Sequence, residues 1–149
     1  MDRFQYLVTV EVAVVRGDRF LLTVRSDEKS YAPGMLAYPG GKVEPAVVGK
    51  DVLEETARRE VLEETGLELG RLEYLESKSF EMGEGIFTLD VVFLAEAASG
   101  DAVVGDSQEV KEVLWLTVAE VLEHPQAPPW MAQSIRIAQE RVERRRAQQ

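Results

Sequence analysis

The sequence predicts an α+β fold in which a mixed β-sheet lies between helices. Short apolar segments rich in valine are separated by turn residues, which is typical of strands. One central stretch combines helix formers with a glycine just after its end, and an amphipathic stretch lies near the C-terminus. With 149 residues, of which 45% are hydrophobic, the chain is suited to one globular domain over residues 1–149.

The predicted strands are apolar segments bounded by turn residues. They cover residues 7–15, 19–24, 35–38, 72–80, 86–95 and 113–116. The first two flank Arg16-Gly17-Asp18, a turn signal, and are therefore expected to form a β-hairpin. The third runs into a predicted turn at Gly40 and Gly41.

Three segments are predicted to be helical. Residues 51–65 place their apolar side chains near one stripe, and Gly66 stands where a left-handed C-cap belongs. Residues 118–123 predict a short helix. After two prolines, residues from about 130 to 146 repeat apolar side chains at spacings of three and four, which predicts an amphipathic C-terminal helix.

Charge and composition exclude several classes of function. The formal net charge of -10 disfavours binding of long nucleic acid by charge alone, whereas a small phosphate compound can still bind through cations. The absence of cysteine excludes disulfides, thiolate catalysis and cysteine-based zinc sites, and the lone His124 cannot build a histidine-rich metal site. Without a leader-like start or a run of about 18 apolar residues, the chain is expected in the cytoplasm and not in a membrane.

The central helix carries carboxylates on one face. Residues advance about 100° each, so Glu60, Glu63 and Glu64 lie within about 100° of one another. Glu60 and Glu64 repel each other at a cost of roughly 0.2–0.5 kcal/mol, and the helix dipole repels Glu63 and Glu64 by roughly 0.3–1 kcal/mol each. A hard divalent cation would recover this stability through oxygen ligands, whereas the alternative is a solvated acidic face.

The predicted glycine turn lies upstream of this cluster. Gly40 and Gly41 lack side chains, so their backbone can adopt strained angles and approach a ligand closely. Amide donors or a carbonyl would then face a metal or a phosphate. A Pro-Gly-Gly sequence alone is more often only a tight turn. Its combination with the carboxylates favours metal-assisted phosphate chemistry.

The spacing of these residues resembles the box of the Nudix hydrolases of the MutT-like kind. That box reads Gly, five residues, Glu, seven residues, Arg-Glu, an aliphatic, any residue, Glu-Glu, any residue, Gly and an aliphatic. The matching residues are Gly41, Arg59, Glu60, Val61, Glu63, Glu64, Gly66 and Leu67. Four residues are inserted within Lys42 to Lys50, and Asp51 takes the place of the middle glutamate. The resemblance covers roughly residues 7–122.

This resemblance implies an α/β/α sandwich with a mixed sheet. It also implies an enzyme that cleaves a nucleoside diphosphate linked to another moiety X, by water attack at phosphorus with Mg²⁺ or Mn²⁺. A small nucleotide-type substrate is expected, either a nucleoside triphosphate or a nucleotide sugar. Nudix proteins often form homodimers, although no segment here demands it. The alternative is a non-catalytic ligand-sensing or protein-binding module, which the insertion and Asp51 favour.

The resemblance also assigns residues. The implied metal ligands are the Gly41 carbonyl, Glu60, Glu63, Glu64 and Glu109. Arg59 is expected to orient the carboxylates by ion pairing, and Glu60 to act as general base, with Glu109 as an extra ligand or alternative base. Basic residues near the glycines, and the backbone there, are candidates for the substrate phosphates: Arg25, Lys29, Gly40, Gly41 and Lys42. Tyr38 and Phe80 are candidates for stacking on a base, whereas Trp115 and Trp130 are predicted to be packing residues.

Overall fold

The structure is a computed structural model that describes residues 3–149. Its elements are β1 (Gln5–Arg16), β2 (Arg19–Arg25), β3 (Leu36–Ala37), β4 (Gly40–Lys42), α1 (Val52–Thr65), β5 (Glu73–Gly83), β6 (Ile86–Glu96), β7 (Val110–Thr117), α2 (Val118–Glu123) and α3 (Met131–Ala147). Every predicted strand and helix is present, with its ends shifted by a few residues at most. Within the described range, no helix has the length and apolar character needed to cross a membrane.

The predicted glycine turn is instead the short strand β4. It pairs antiparallel with β1, so that Val10 lies opposite Gly41 and Glu11 lies opposite Gly40. Neither glycine has a positive φ angle, so the prediction of strained backbone is wrong here. Glycine is needed for another reason, because a Cβ on Gly40 would lie 2.8 Å from Cα of Glu11. The close approach of two backbones therefore selects glycine at this position.

Strand β1 organises the mixed sheet. It pairs in parallel with β6 from Gln5 to Val15, and antiparallel with β2 only through Val15 and Arg16. The strand order is β3-β2-β1-β6-β5, with β4 paired to β1 and β7 paired to β2. Because β2 pairs with so little of β1, the remaining edge of β1 is open to β4. This arrangement brings the glycines to the centre of the sheet.

Helices cover both faces of this sheet. Side chains alternate between faces along a strand, and β1 is apolar on both. Val12 and Val14 belong to the apolar cluster that includes Val61 of α1. Ala13 belongs to the opposite cluster, which includes Ile135 of α3. The predicted α/β/α sandwich with a mixed sheet is thereby confirmed.

Candidate active site

Helix α1 presents the acidic residues at its C-terminal end. The helix begins after Asp51, an exposed residue with a φ of 55°, and the N–H of Gly66 closes it with a bond of 2.9 Å to the Leu62 carbonyl. Gly66 has a φ of 76°, as expected for a left-handed cap. The insertion lies in the loop between β4 and α1. It therefore leaves the relative positions of the carboxylates on the helix unchanged.

Glu64 connects α1 to β4. Its side chain is 6% exposed, and its Oε2 atom accepts a hydrogen bond of 2.9 Å from the N–H of Gly40. Burial raises the pKa of Glu64 to about 8, although the bond from Gly40 opposes the shift. The charges of Glu60 and Glu109 raise this pKa further. Glu64 thus lies in a crowded acidic environment beside the glycine strand.

Glu60 lies against Gly41. A Cβ on Gly41 would be 2.5 Å from Oε2 of Glu60, so only glycine leaves room for the carboxylate. Burial raises the pKa of Glu60, Arg59 lowers it, and the charges of Glu63, Glu109 and Glu44 raise it. The Gly41 backbone and the Glu60 carboxylate are therefore direct neighbours.

Arg59 holds two of the carboxylates. Its guanidinium nitrogens lie 3.3 Å from Oε1 of Glu60 and 3.7 Å from Oε1 of Glu63. Glu63 is the most accessible member of the cluster, with 53% of its side chain exposed. Among residues 3–149, no acceptor makes a hydrogen bond to the buried Nη2 atom of Arg59. The structure therefore contains an ion pair from Arg59 to each of these two carboxylates.

Glu109 reaches the same region from the loop before β7. It forms an ion pair with Lys29, and both residues line the cavity that Gly40, Gly41 and Glu64 also line. Its charge raises the pKa of Glu60 and of Glu64. The structure therefore brings Glu109 into the electrostatic environment of the helix carboxylates.

The donor set fits a hard divalent cation, since it consists of carboxylate and carbonyl oxygens in a region where acidic side chains outnumber basic ones. In the described part of the chain, no three acidic or histidine side chains stand close enough to form a ready-made metal cluster. Gly40, Arg59 and Lys29 engage the carboxylates instead. A cation would compete with these partners for the same oxygens.

The cavity has a volume of about 700 Å³, which suits a small organic ligand. Arg25, Lys29 and Lys42 line it beside the glycine strand. Tyr38 also borders it, but this residue is 4% exposed and its hydroxyl bonds Ser134 at 2.9 Å. The Tyr38 ring therefore packs in the core and presents little area for stacking.

Sequence reasoning missed several residues of this region. Trp130 is 44% exposed and borders the cavity, so its prediction as a packing residue is wrong, whereas Trp115 packs against the core. Glu11 and Asp90 also line the cavity. Each is an acidic residue with apolar neighbours on both sides within a strand, and this pattern is the sequence signal that could have identified them.

Gly105 is a further missed residue. Its N–H donates to the Glu64 carbonyl at 2.8 Å, and a Cβ on it would lie 3.1 Å from the Glu63 carbonyl carbon. The loop after β6 thereby satisfies a free carbonyl at the end of α1. No local sequence pattern indicates this contact, because it joins residues distant in the chain.

The fold and the box define a known class of protein. The NUDIX domain family matches residues 5–136. The chain belongs to the Nudix hydrolase family, which confirms the predicted MutT-like resemblance.

Curated relatives are longer proteins. The chain is 30% identical over 121 residues to the NAD-capped RNA hydrolase NUDT12 of Macaca fascicularis, covering 81% of this chain and 24% of that protein. It is 33% identical over 118 residues to the NAD-capped RNA hydrolase NudC of Escherichia coli, covering 79% of this chain and 40% of that protein. The chain thus spans about a quarter to two fifths of the length of these relatives.

Solved structures match the chain over most of their own length. A MutT protein from Methanosarcina mazei Go1 aligns with a TM-score of 0.74 and 26% identity, covering 95% of this chain and 99% of that one. A MutT NUDIX hydrolase from Burkholderia pseudomallei aligns with a TM-score of 0.66 and 28% identity, covering 76% of this chain and 84% of that one. These likenesses confirm the fold class.

Proposed function

We propose that the chain is a metal-dependent pyrophosphohydrolase that cleaves a phosphoanhydride in a nucleoside diphosphate linked to another moiety X. One observation carries the proposal: Glu60 and Glu64 lie against Gly41 and Gly40 beside a cavity with basic side chains. Carboxylates suit a cation, and basic groups suit phosphates. The same cavity therefore offers complementary groups to a metal-bound diphosphate.

Mg²⁺ or Mn²⁺ would be held by Glu60, Glu63, Glu64, Glu109 and the Gly41 carbonyl. When bound, such a cation neutralises phosphate charge, polarises phosphorus and lowers the pKa of a coordinated water. Other residues of the chain orient these carboxylates. Arg59 holds Glu60 and Glu63, and the Gly40 N–H holds Glu64. Side chains whose positions are fixed in this way need little reorganisation once the cation is bound, which lowers the barrier of the reaction.

Glu60 is the proposed general base. Its raised pKa brings it closer to the working pH, where a base combines the right protonation state with sufficient basicity. Glu109 is the alternative base, and it has to release Lys29 to act. Arg25, Lys29 and Lys42 are proposed to contact the substrate phosphates. They would keep the reacting phosphorus near Glu60 and exclude unproductive orientations.

The proposed substrate is a small nucleotide, either a nucleoside triphosphate or a nucleotide sugar. The names of the curated relatives add NAD and the NAD cap of RNA to the candidates. With a net charge of -10, the chain has little attraction for a long RNA body, so a capped RNA would be recognised mainly through its cap. NAD and NAD-capped RNA are therefore both among the compounds to be tested.

The test is a panel of nucleoside triphosphates, nucleotide sugars, ADP-ribose, dinucleoside polyphosphates, NAD and NAD-capped RNA. Each compound is incubated with Mg²⁺, Mn²⁺ or chelator, and products are separated by chromatography. Turnover that chelator abolishes supports the proposal. Glu63→Gln should then reduce turnover by at least about 100-fold, whereas Glu55→Gln, an exposed control on the same helix, should not.

The competing function is a non-catalytic module that binds a ligand or a protein. It is favoured if the folded chain binds a nucleotide of the panel without cleaving it, and if Glu63→Gln leaves that binding unchanged. This outcome would contradict the hydrolase proposal.

A further inference from the structure

A second group of acidic residues lies on strands β1, β5 and β6, where the sheet forms the floor of the cavity. Thr9 on β1 donates to Oδ1 of Asp90 on β6 at 2.7 Å. Lys78 on β5 lies 3.8 Å from Oδ2 of Asp90 and 3.8 Å from Oε1 of Glu76. Glu11, the next residue on this face of β1, completes the cluster. Strand register therefore gathers three carboxyl groups around one lysine on neighbouring strands.

This cluster has more acceptors than donors. Asp90 is 4% exposed, and within residues 3–149 its Oδ2 atom and the buried Oε2 atom of Glu76 receive no hydrogen bond from an N–H group or a hydroxyl. Lys78 is too distant to supply one. Burial raises the pKa of Glu11, and the neighbouring Asp90 carboxyl raises it further. Of the cluster's carboxyls, Glu11 and Asp90 line the cavity, and Asp90 is almost fully buried, so Glu11 is the acceptor that a ligand with N–H donors would meet.

Aromatic rings form a wall of the same cavity. The Tyr31 ring stacks on Phe80 at a centroid distance of 5.8 Å and on Trp130 at 6.3 Å, with interplanar angles of 16° and 19°. Tyr31 is 43% exposed and Trp130 is 44% exposed, so aromatic area remains accessible at the cavity. Parallel rings with exposed area suit a planar heterocycle.

We propose that this region is a base subsite, in which the aromatic wall stacks on a planar heterocycle and Glu11 accepts hydrogen bonds from N–H groups on its edge. Asp90 is a positioning residue, because Thr9 fixes its carboxyl and the register of β1 and β6 places it beside Glu11. Lys78 and Arg25 lie near Glu11, so a neutral heterocycle fits better than a cation. The inference rests on the proposed function, since it names the part of the nucleotide that this cavity binds.

The test measures binding apart from turnover. Isothermal titration calorimetry, with chelator present, compares the affinities of two pairs of nucleotides. The first pair is guanosine 5′-monophosphate and inosine 5′-monophosphate, and the second is adenosine 5′-monophosphate and purine-riboside 5′-monophosphate. Each pair differs by one amino group. The amino-bearing member of at least one pair should bind about 10–100-fold more tightly, as expected for hydrogen bonds to a carboxyl in a buried site.

The variants separate the two parts of the subsite. Glu11→Leu should reduce the preference to less than about 3-fold, and Glu11→Gln, which keeps an acceptor oxygen, should restore part of it. Glu112→Leu, at an exposed position on β7, is the control and should keep the wild-type preference. Trp130→Ala should weaken all four ligands by about 5–100-fold while preserving the preference.

The outcomes distinguish this inference from the proposed function. Equal binding within both pairs by the wild type, or an unchanged preference in folded Glu11→Leu, overturns the base subsite even if the chain hydrolyses nucleotides. If the turnover panel is silent but the preference depends on Glu11, the base subsite stands and the hydrolase proposal fails. If Glu11→Leu does not fold, Glu11→Gln is used in its place. A smaller preference for the amino-bearing nucleotides than in the wild type supports the base subsite, and an unchanged preference overturns it.

Discussion

The backbone N–H of Gly40 donates a hydrogen bond of 2.9 Å to the side chain of Glu64, which lies 24 residues further along the chain. This contact joins β4 to the last turn of α1, and so connects the two halves of the Nudix box. The insertion and Asp51 lie between the two partners, in the segment that the contact closes. Their presence therefore leaves the geometry of the acidic end intact.

Replacing Glu64 should separate stability from activity. Burial makes ionisation of this carboxyl unfavourable and raises its pKa to about 8. Glu64→Gln removes the cost of ionisation and keeps an acceptor for the N–H of Gly40. In chelator near pH 8, we expect an unfolding free energy higher by about 1–2 kcal/mol, or about 2–8 °C in Tm. Turnover with Mg²⁺ should fall at least about 100-fold. Thermal denaturation measures the change in stability, and product analysis measures turnover. Undiminished turnover would show that Glu64 does not act as a metal ligand in the reaction.

The metal-free protein should lose stability as pH rises. The folded-state pKa values of Glu11 and Glu64 lie above the ordinary 4.5, so the folded chain keeps protons that the unfolded chain has released. Between about pH 4.5 and about pH 8, the free energy of unfolding therefore decreases with pH. Urea unfolding in chelator measures this slope. Glu11→Gln should flatten it, and a slope of opposite sign would show that other groups dominate.

Gly41→Ala should disturb Glu60 without unfolding the chain. The added methyl group would lie 2.5 Å from Oε2 of Glu60, so the carboxylate has to move. We expect metal affinity to fall about 10–100-fold, as when a ligand loses its support. Titration with Mn²⁺ followed by electron paramagnetic resonance measures this. Gly70→Ala is the matched control, because its Cβ would meet its nearest neighbour at an ordinary 3.5 Å; an equal loss in both variants would point to a general effect on folding.

Two adjacent arginines should differ in their effects. Arg58 donates to the carbonyls of Leu69 and Gly70 at 2.8 and 3.0 Å, whereas Arg59 pairs with Glu60 and Glu63. Arg58→Gln should lower the unfolding free energy by about 1–3 kcal/mol with little change in turnover per folded molecule. Arg59→Gln should leave stability within about 1 kcal/mol, because its ion pairs of 3.3 and 3.7 Å are partly exposed and long for hydrogen bonds, and should lower turnover about 10–100-fold. Chemical unfolding and kinetics on both variants test this, and the reverse pattern would refute the assigned roles.

Local patterns in the sequence determined much of the fold. Valine-rich segments flanking Arg16-Gly17-Asp18 predict the β1–β2 hairpin, and Gly66 marks the end of α1, because turns and caps depend on residues close in the chain. The spacing of Glu60, Glu63 and Glu64 likewise follows from helix geometry alone.

Tertiary structure decided how these parts meet. Gly40–Lys42 becomes a strand only because β1 lies beside it, and Asp90 approaches Glu11 only because β1 and β6 pair in a particular parallel register. Burial of Tyr38 and exposure of Trp130 likewise depend on where α3 packs. Sequence spacing encodes contacts within one turn or one hairpin, whereas contacts between distant strands and helices follow from the packing of the whole chain.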